Sequence, residues 1–151
     1  MKPAYTSEMQ DVRLGSFRLT ELLGSGGMAT VWRGVYVGPG ADRLPLAHRS
    51  RVALKVLTSE RARQQDWLDA FAAEVRAVAR LNHQHILSVY DFGEVSEAAE
   101  VASQGHFVTG SPWLAMELAD QGSLGTRAKG VLWPELQHIV LQLMEALAHA
   151  H

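Results

Sequence analysis

Gly24-Ser25-Gly26-Gly27 sets three glycines within four residues, between two stretches that alternate as strands do. Such a turn can be approached closely by a ligand, because no Cβ stands in the way. The residues after the glycines decide between folds. Ala29 to Val37 is rich in β-branched and aromatic residues, so the glycines mark the tip of a hairpin. A dinucleotide-binding crossover would need a helix there. A Walker A loop would need Gly-Lys-Ser/Thr, and none is present after the glycines. Val52-Ala53-Leu54-Lys55 then gives an alternating strand that ends on a lysine. Glycines that expose backbone N–H groups, with a lysine charge nearby, can hold a polyphosphate.

The order of elements follows from periodicity. Phe17 to Leu23 reads as a first strand, with Phe17, Leu19, Glu21 and Leu23 on one face and Arg18, Thr20 and Leu22 on the other. Residues 29–37 and 51–57 are the second and third strands, and Gly38 to Asp42 between them is a loop. Residues 60–81 predict a helix whose stripe is Leu68, Phe71, Val75, Val78 and Leu81, with Glu74 beside it. Ile86 to Phe92 and Trp113 to Leu118 are the fourth and fifth strands, joined by a small, polar loop over 94–111. Ser123 is a candidate helix cap. Pro134 opens the clearest helix, with the stripe Leu136, Ile139, Val140, Leu143, Met144 and Leu147. The expected class is α+β: a five-stranded antiparallel sheet with one helix, then helical segments.

Bulk properties narrow the function. A chain of 151 residues, 47% hydrophobic and 20% charged, has the composition of a globular domain. A net charge of −2 predicts no nucleic-acid partner. With no cysteine there is no disulfide, thiolate metal site or cysteine nucleophile. No stretch reaches the length of a membrane span.

These motifs, taken in order, resemble the N-terminal lobe of eukaryotic-type serine/threonine protein kinases, in their bacterial branch. The family's glycine-rich G-x-G-x-x-G-x-V reads here Gly24-Ser25-Gly26-Gly27-Met28-Ala29-Thr30-Val31, with Ala29 in place of the third glycine. Its V-A-I-K reads Val52-Ala53-Leu54-Lys55, and its helix glutamate matches Glu74. Leu81-Asn82-His83-Gln84-His85-Ile86 is similar to the family's helix-to-strand turn, and Met116-Glu117-Leu118-Ala119 to its gatekeeper and hinge.

The resemblance implies a flexible N-terminus over 1–16, an N-lobe and hinge over 17–119, and the start of a helical C-lobe over 120–151. It implies ATP as the bound nucleotide. Leu23 to Val31 would form the lid, Val31 and Ala53 the roof over the adenine, Met116 the gatekeeper, and the Glu117 and Ala119 backbone the contacts to its edge. Lys55 would meet the phosphates, held by Glu74. The complete kinase would use Mg²⁺ and transfer phosphate to Ser or Thr hydroxyls of proteins. Its catalytic base, metal ligands and activation loop would lie beyond His151, so these 151 residues alone are expected to be inactive. The alternative is a pseudokinase-like module that binds a nucleotide or partner without catalysis. A cytoplasmic kinase domain is expected, with a downstream membrane anchor left open.

Three look-alikes are set aside. Asp91-Phe92-Gly93 spells the kinase metal-binding tripeptide but precedes the hinge, so no Mg²⁺ is assigned to Asp91. His83 and His85, and His149 and His151, lack a carboxylate or cysteine set and read as turn and helix-end residues rather than metal ligands. Glu94, Glu97 and Glu100 read as a solvated loop face.

Overall fold

The computed structural model describes residues 8–44, 46–49, 51–127 and 130–151. Its strands are β1 (Arg13–Leu14), β2 (Phe17–Ser25), β3 (Ala29–Tyr36), β4 (Val52–Leu57), β5 (Val89–Glu94) and β6 (Pro112–Glu117). They form one antiparallel sheet in the order β1-β2-β3-β4-β6-β5. The helices are α1 (Leu46–Arg49), α2 (Ser59–Ala62), α3 (Gln65–Val78), α4 (Glu97–Ala102), α5 (Leu124–Arg127) and α6 (Trp133–Ala150).

Alternation along β4 divides the core. Val52, Leu54 and Val56 enter an outer cluster with Phe17, Leu19, Trp32, Trp113 and Ala115. Leu57 enters an inner cluster with Phe71 and Val75 of α3 and Leu114 of β6. Each fully buried side chain of this size contributes roughly 1.5–3 kcal/mol. The site is built on the inner side, where α3 packs.

Several expectations are corrected. The strands number six rather than five, because Leu14 pairs with Phe17 and Arg13 with Arg18 across a turn at Gly15, whose φ of +54° suits glycine. Residues 8–16 are therefore no flexible tail; Met9, Val12 and Leu14 are buried in the outer cluster. Residues 1–7 of the expected tail lie outside the described residues.

In β2 the register slips between Leu19 and Glu21 and again between Leu22 and Gly24. The first bulge returns Leu22 to the outer core, against the simple alternation, and Leu23 is 39% exposed.

The helix expected over 60–81 is two helices, with Gln64 in an extended conformation between them. The fourth strand runs from Val89 rather than Ile86.

The loop over 94–111 contains α4, capped by Ser96, whose side chain accepts from the Ala99 N–H at 3.2 Å. Val95, Ala99 and Phe107 close over the outer face, with the Phe107 ring edge-on to Trp32 at 6.1 Å. Glu100 is no idle surface charge: it accepts from the backbone N–H and hydroxyl of Thr109, which hold its carboxyl below the usual carboxylate range. Glu97 belongs to the first turn of α4, and Glu94 ends β5.

Gly34 is where this packing leaves least room. A Cβ there would lie 2.2 Å from Leu54 Cδ1, and Leu54 is fully buried. Gly34→Ala is expected to destabilise the lobe by about 1–3 kcal/mol, read from the shift of its denaturant midpoint at unchanged slope.

Candidate functional site

Cross-strand partners share a face of a sheet. Val31 lies opposite Lys55, and Lys55 opposite Leu114; Ala53 lies opposite Met116. Val31, Ala53, Lys55 and Met116 therefore come to the inner face together. Lys55 Nζ donates to Glu74 Oε1 at 2.7 Å. It also stands 5.4 Å from the centroid of Phe71, whose ring is buried one helical turn before Glu74. The Lys55 side chain is 20% exposed and that of Glu74 45%. A pair this open to water stabilises the fold little. Its effect is to fix the ammonium of a flexible side chain, with α3 drawn in against the sheet.

The glycine-rich tip joins β2 to β3 and is closed by a hydrogen bond from Gly26 N–H to Ala29 O at 3.0 Å. Gly24, Gly26 and Gly27 are absent from the positive-φ residues. A Cβ on Gly24 or Gly27 would meet nothing within 4 Å, and one on Gly26 only Ala29 O at 3.7 Å. Neither backbone conformation nor packing within the protein calls for glycine here.

The side chains around the tip divide. Met28 and Ala29 pack on the inner cluster. Ser25 and Thr30 line a cavity of about 300 Å³ with Trp32 and Phe107 on the outer side, where Thr30 Oγ1 accepts from Trp32 Nε1 at 2.9 Å.

The segment expected as the hinge is pinned by the residues just before β5 and β4. Glu117 N–H donates to Ser88 O at 2.8 Å, and Leu118 N–H to Arg51 O at 3.2 Å. Partial burial and the Glu117 carboxylate push the Tyr90 phenol up, against a smaller opposing effect of Arg51. Ala119, one residue on, is exposed.

Several contacts had no sequence signal. Thr58 N–H donates to Met28 O at 3.1 Å and Arg61 Nε to Gly27 O at 3.2 Å, so the tip is tied to the start of the helical segment. His83 stacks on His149 of α6 with centroids 5.0 Å apart, and His85 lies 3.3 Å from Glu145 of the same helix. The His83–His149 stack and the His85–Glu145 contact thus dock the turn before β5 onto α6. Among the described residues no group of three or more His, Asp or Glu is arranged to hold a metal.

Asp91-Phe92-Gly93 is ordinary strand, in register with Ala115, Leu114 and Trp113. Its glycine has a packing reason, since a Cβ on Gly93 would lie 2.9 Å from the Trp113 ring.

The sequence profile of the protein tyrosine and serine/threonine kinase family matches residues 17–149. The chain belongs to this family. Among its relatives, serine/threonine-protein kinase PknA of Mycobacterium tuberculosis is 34% identical over 136 residues, which cover 90% of this chain and 27% of the relative. Serine/threonine-protein kinase PrkC of Bacillus subtilis is 29% identical over 138 residues, covering 91% and 18%. The crystal structure of the Mycobacterium tuberculosis PknI kinase domain is similar with a TM-score of 0.64 at 28% identity, over 94% of this chain and 50% of that one. The fold is therefore that of a kinase N-lobe with the first helices that come after it. The chain spans about half of the solved kinase domains it matches and a smaller share of the curated relatives. No helix among the described residues is long and apolar enough to cross a membrane.

Proposed function

We propose that these residues form the ATP-holding part of a serine/threonine protein kinase. The observation that carries the reading is the Lys55–Glu74 pair, formed at 2.7 Å on the face that also presents Val31, Ala53 and Met116. The glycine tip supports it. Three glycines that the protein's own packing does not require leave the space that a triphosphate needs, with backbone N–H groups as its donors. Lys55 would contact the phosphates and Glu74 would hold it there. Leu23, Val31 and Ala53 would cover the base, and Met116 would limit its depth. The backbone of Glu117 and Ala119 would meet the base's edge. From Ser25, Met28, Ala29 and Thr30 the contribution is backbone, since their side chains are engaged elsewhere.

In the complete kinase Mg²⁺ would neutralise charge on the phosphates. Its ligands, the catalytic base and the protein-substrate site would belong to the half of a kinase domain that this chain does not span. That half would also cover α6, where Leu141, Leu143, Met144 and Leu147 are each at least 50% exposed. The acceptors would be Ser and Thr hydroxyls of proteins, and the kinase domain would work in the cytoplasm.

Calorimetric titration of ATP with Mg²⁺ into the complete protein is expected to show one saturable site. An Ala53→Phe variant, in which a ring occupies the base's place, should bind at least about tenfold more weakly. Equal affinity in the two proteins would remove Ala53 from the site.

A further inference from the structure

We infer that Arg61 is a positioning residue that latches the glycine-rich lid to the helix carrying Glu74. The inference rests on the proposed nucleotide site but has its own geometry.

Arg61, on the short helix α2, donates from Nε to Gly27 O at 3.2 Å. The other side of the same guanidinium lies over the ring of Trp67, 4.5 Å from its centroid. Trp67 stands in the first turns of α3, and Glu74 comes seven residues later, two turns along and on the same face. One planar cation therefore spans from the lid's tip to the helix that orients Lys55. A second tie lies beside it: Thr58 donates to Met28 O from its N–H at 3.1 Å and from its hydroxyl at 3.4 Å. Two successive lid carbonyls are thus held by the segment between Lys55 and Glu74.

The lid's glycines leave it free to fluctuate, and a mobile lid loses entropy when a nucleotide orders it. A latch that orders the tip beforehand reduces that loss. It also couples two events, because α3 cannot swing outward without drawing Trp67 from beneath the guanidinium. Arg suits the position, as its planar group can stack and donate at once. Arg61 touches neither the proposed phosphates nor Lys55.

The test uses the complete protein with Arg61→Ala, Arg61→Lys and Trp67→Leu. Amide hydrogen exchange is read at Gly26 and Thr58, whose N–H groups bond within or to the lid. With no nucleotide present, Arg61→Ala and Trp67→Leu should each speed exchange there about three- to tenfold. The double variant should be no faster than either alone, because both break one latch. Arg61→Lys, which keeps the charge and a donor, should recover part of the protection. With nucleotide, Arg61→Ala should raise the KM for ATP several-fold and leave the KM for the protein substrate unchanged. Unchanged exchange at both amides, or additive effects of the two substitutions, overturns the latch. Loss of ATP binding in the wild type would strike the nucleotide reading instead, and the exchange result would stand independently of it.

Discussion

Replacing Lys55 by methionine should reduce phosphoryl transfer by the complete protein about a hundredfold or more, while leaving the fold intact. The two halves of this expectation have different origins. The loss follows from removing the ammonium that β4 presents on the inner face opposite Val31, held at 2.7 Å by Glu74. Positioning and charge stabilisation supply most of the catalysis in phosphoryl transfer, so a missing phosphate contact acts on the rate directly. The intact fold follows from exposure. Glu74 is 45% exposed, so its carboxylate is solvated when the lysine charge goes, and the stability change should stay within about 1 kcal/mol. Methionine keeps an unbranched apolar stem along Phe71. Transfer and the thermal midpoint, measured on the same preparation, separate the two effects; unchanged transfer would show that Lys55 has no such role.

Phe71→Ala should do the opposite, unfolding first and disabling second. Phe71 is 1% exposed and packs with Leu57, Val75 and Leu114 between α3 and the sheet. Truncating a ring so enclosed costs about 3–5 kcal/mol, part of it from the cavity left behind. The same ring lies beneath the Lys55 ammonium, and it sets the depth at which α3 rests. Denaturant titration should show the large loss of stability. ATP affinity, measured where the variant is still folded, should fall as well, because α3 no longer holds Glu74 against Lys55. A stable variant with a loosened nucleotide site would show that α3 is held by other contacts.

The two substitutions mark what the sequence reveals and what it withholds. Lys55 and Glu74 are legible because each sits in a strongly periodic element, and because their order matches a known family. Alternation fixes the face of Val52, Leu54 and Val56, and the 3.6-residue period fixes that of Phe71 and Val75. The bulges in β2 are not legible, since one extra residue shifts Leu22 to the other face without any local marker. The six residues of α4 are too few to display a period, and their surroundings are small and polar. Met9, Val12 and Leu14 gain their burial only from the sheet face they happen to cover.

Side-chain contacts with backbone carbonyls, such as Arg61 with Gly27, leave no pattern in sequence at all. The histidines illustrate the same limit. The sequence places them in a turn and at a helix end, and only the tertiary fold brings His83 onto His149.

The most direct measurement is to incubate the complete protein with γ-labelled ATP and Mg²⁺ and to identify the amino acid that carries the label. Label on serine or threonine, abolished by Lys55→Met, is the expected result. A folded wild-type protein that yields no label, or label that persists in the Lys55→Met variant, would contradict the assignment of this lobe to a working serine/threonine kinase.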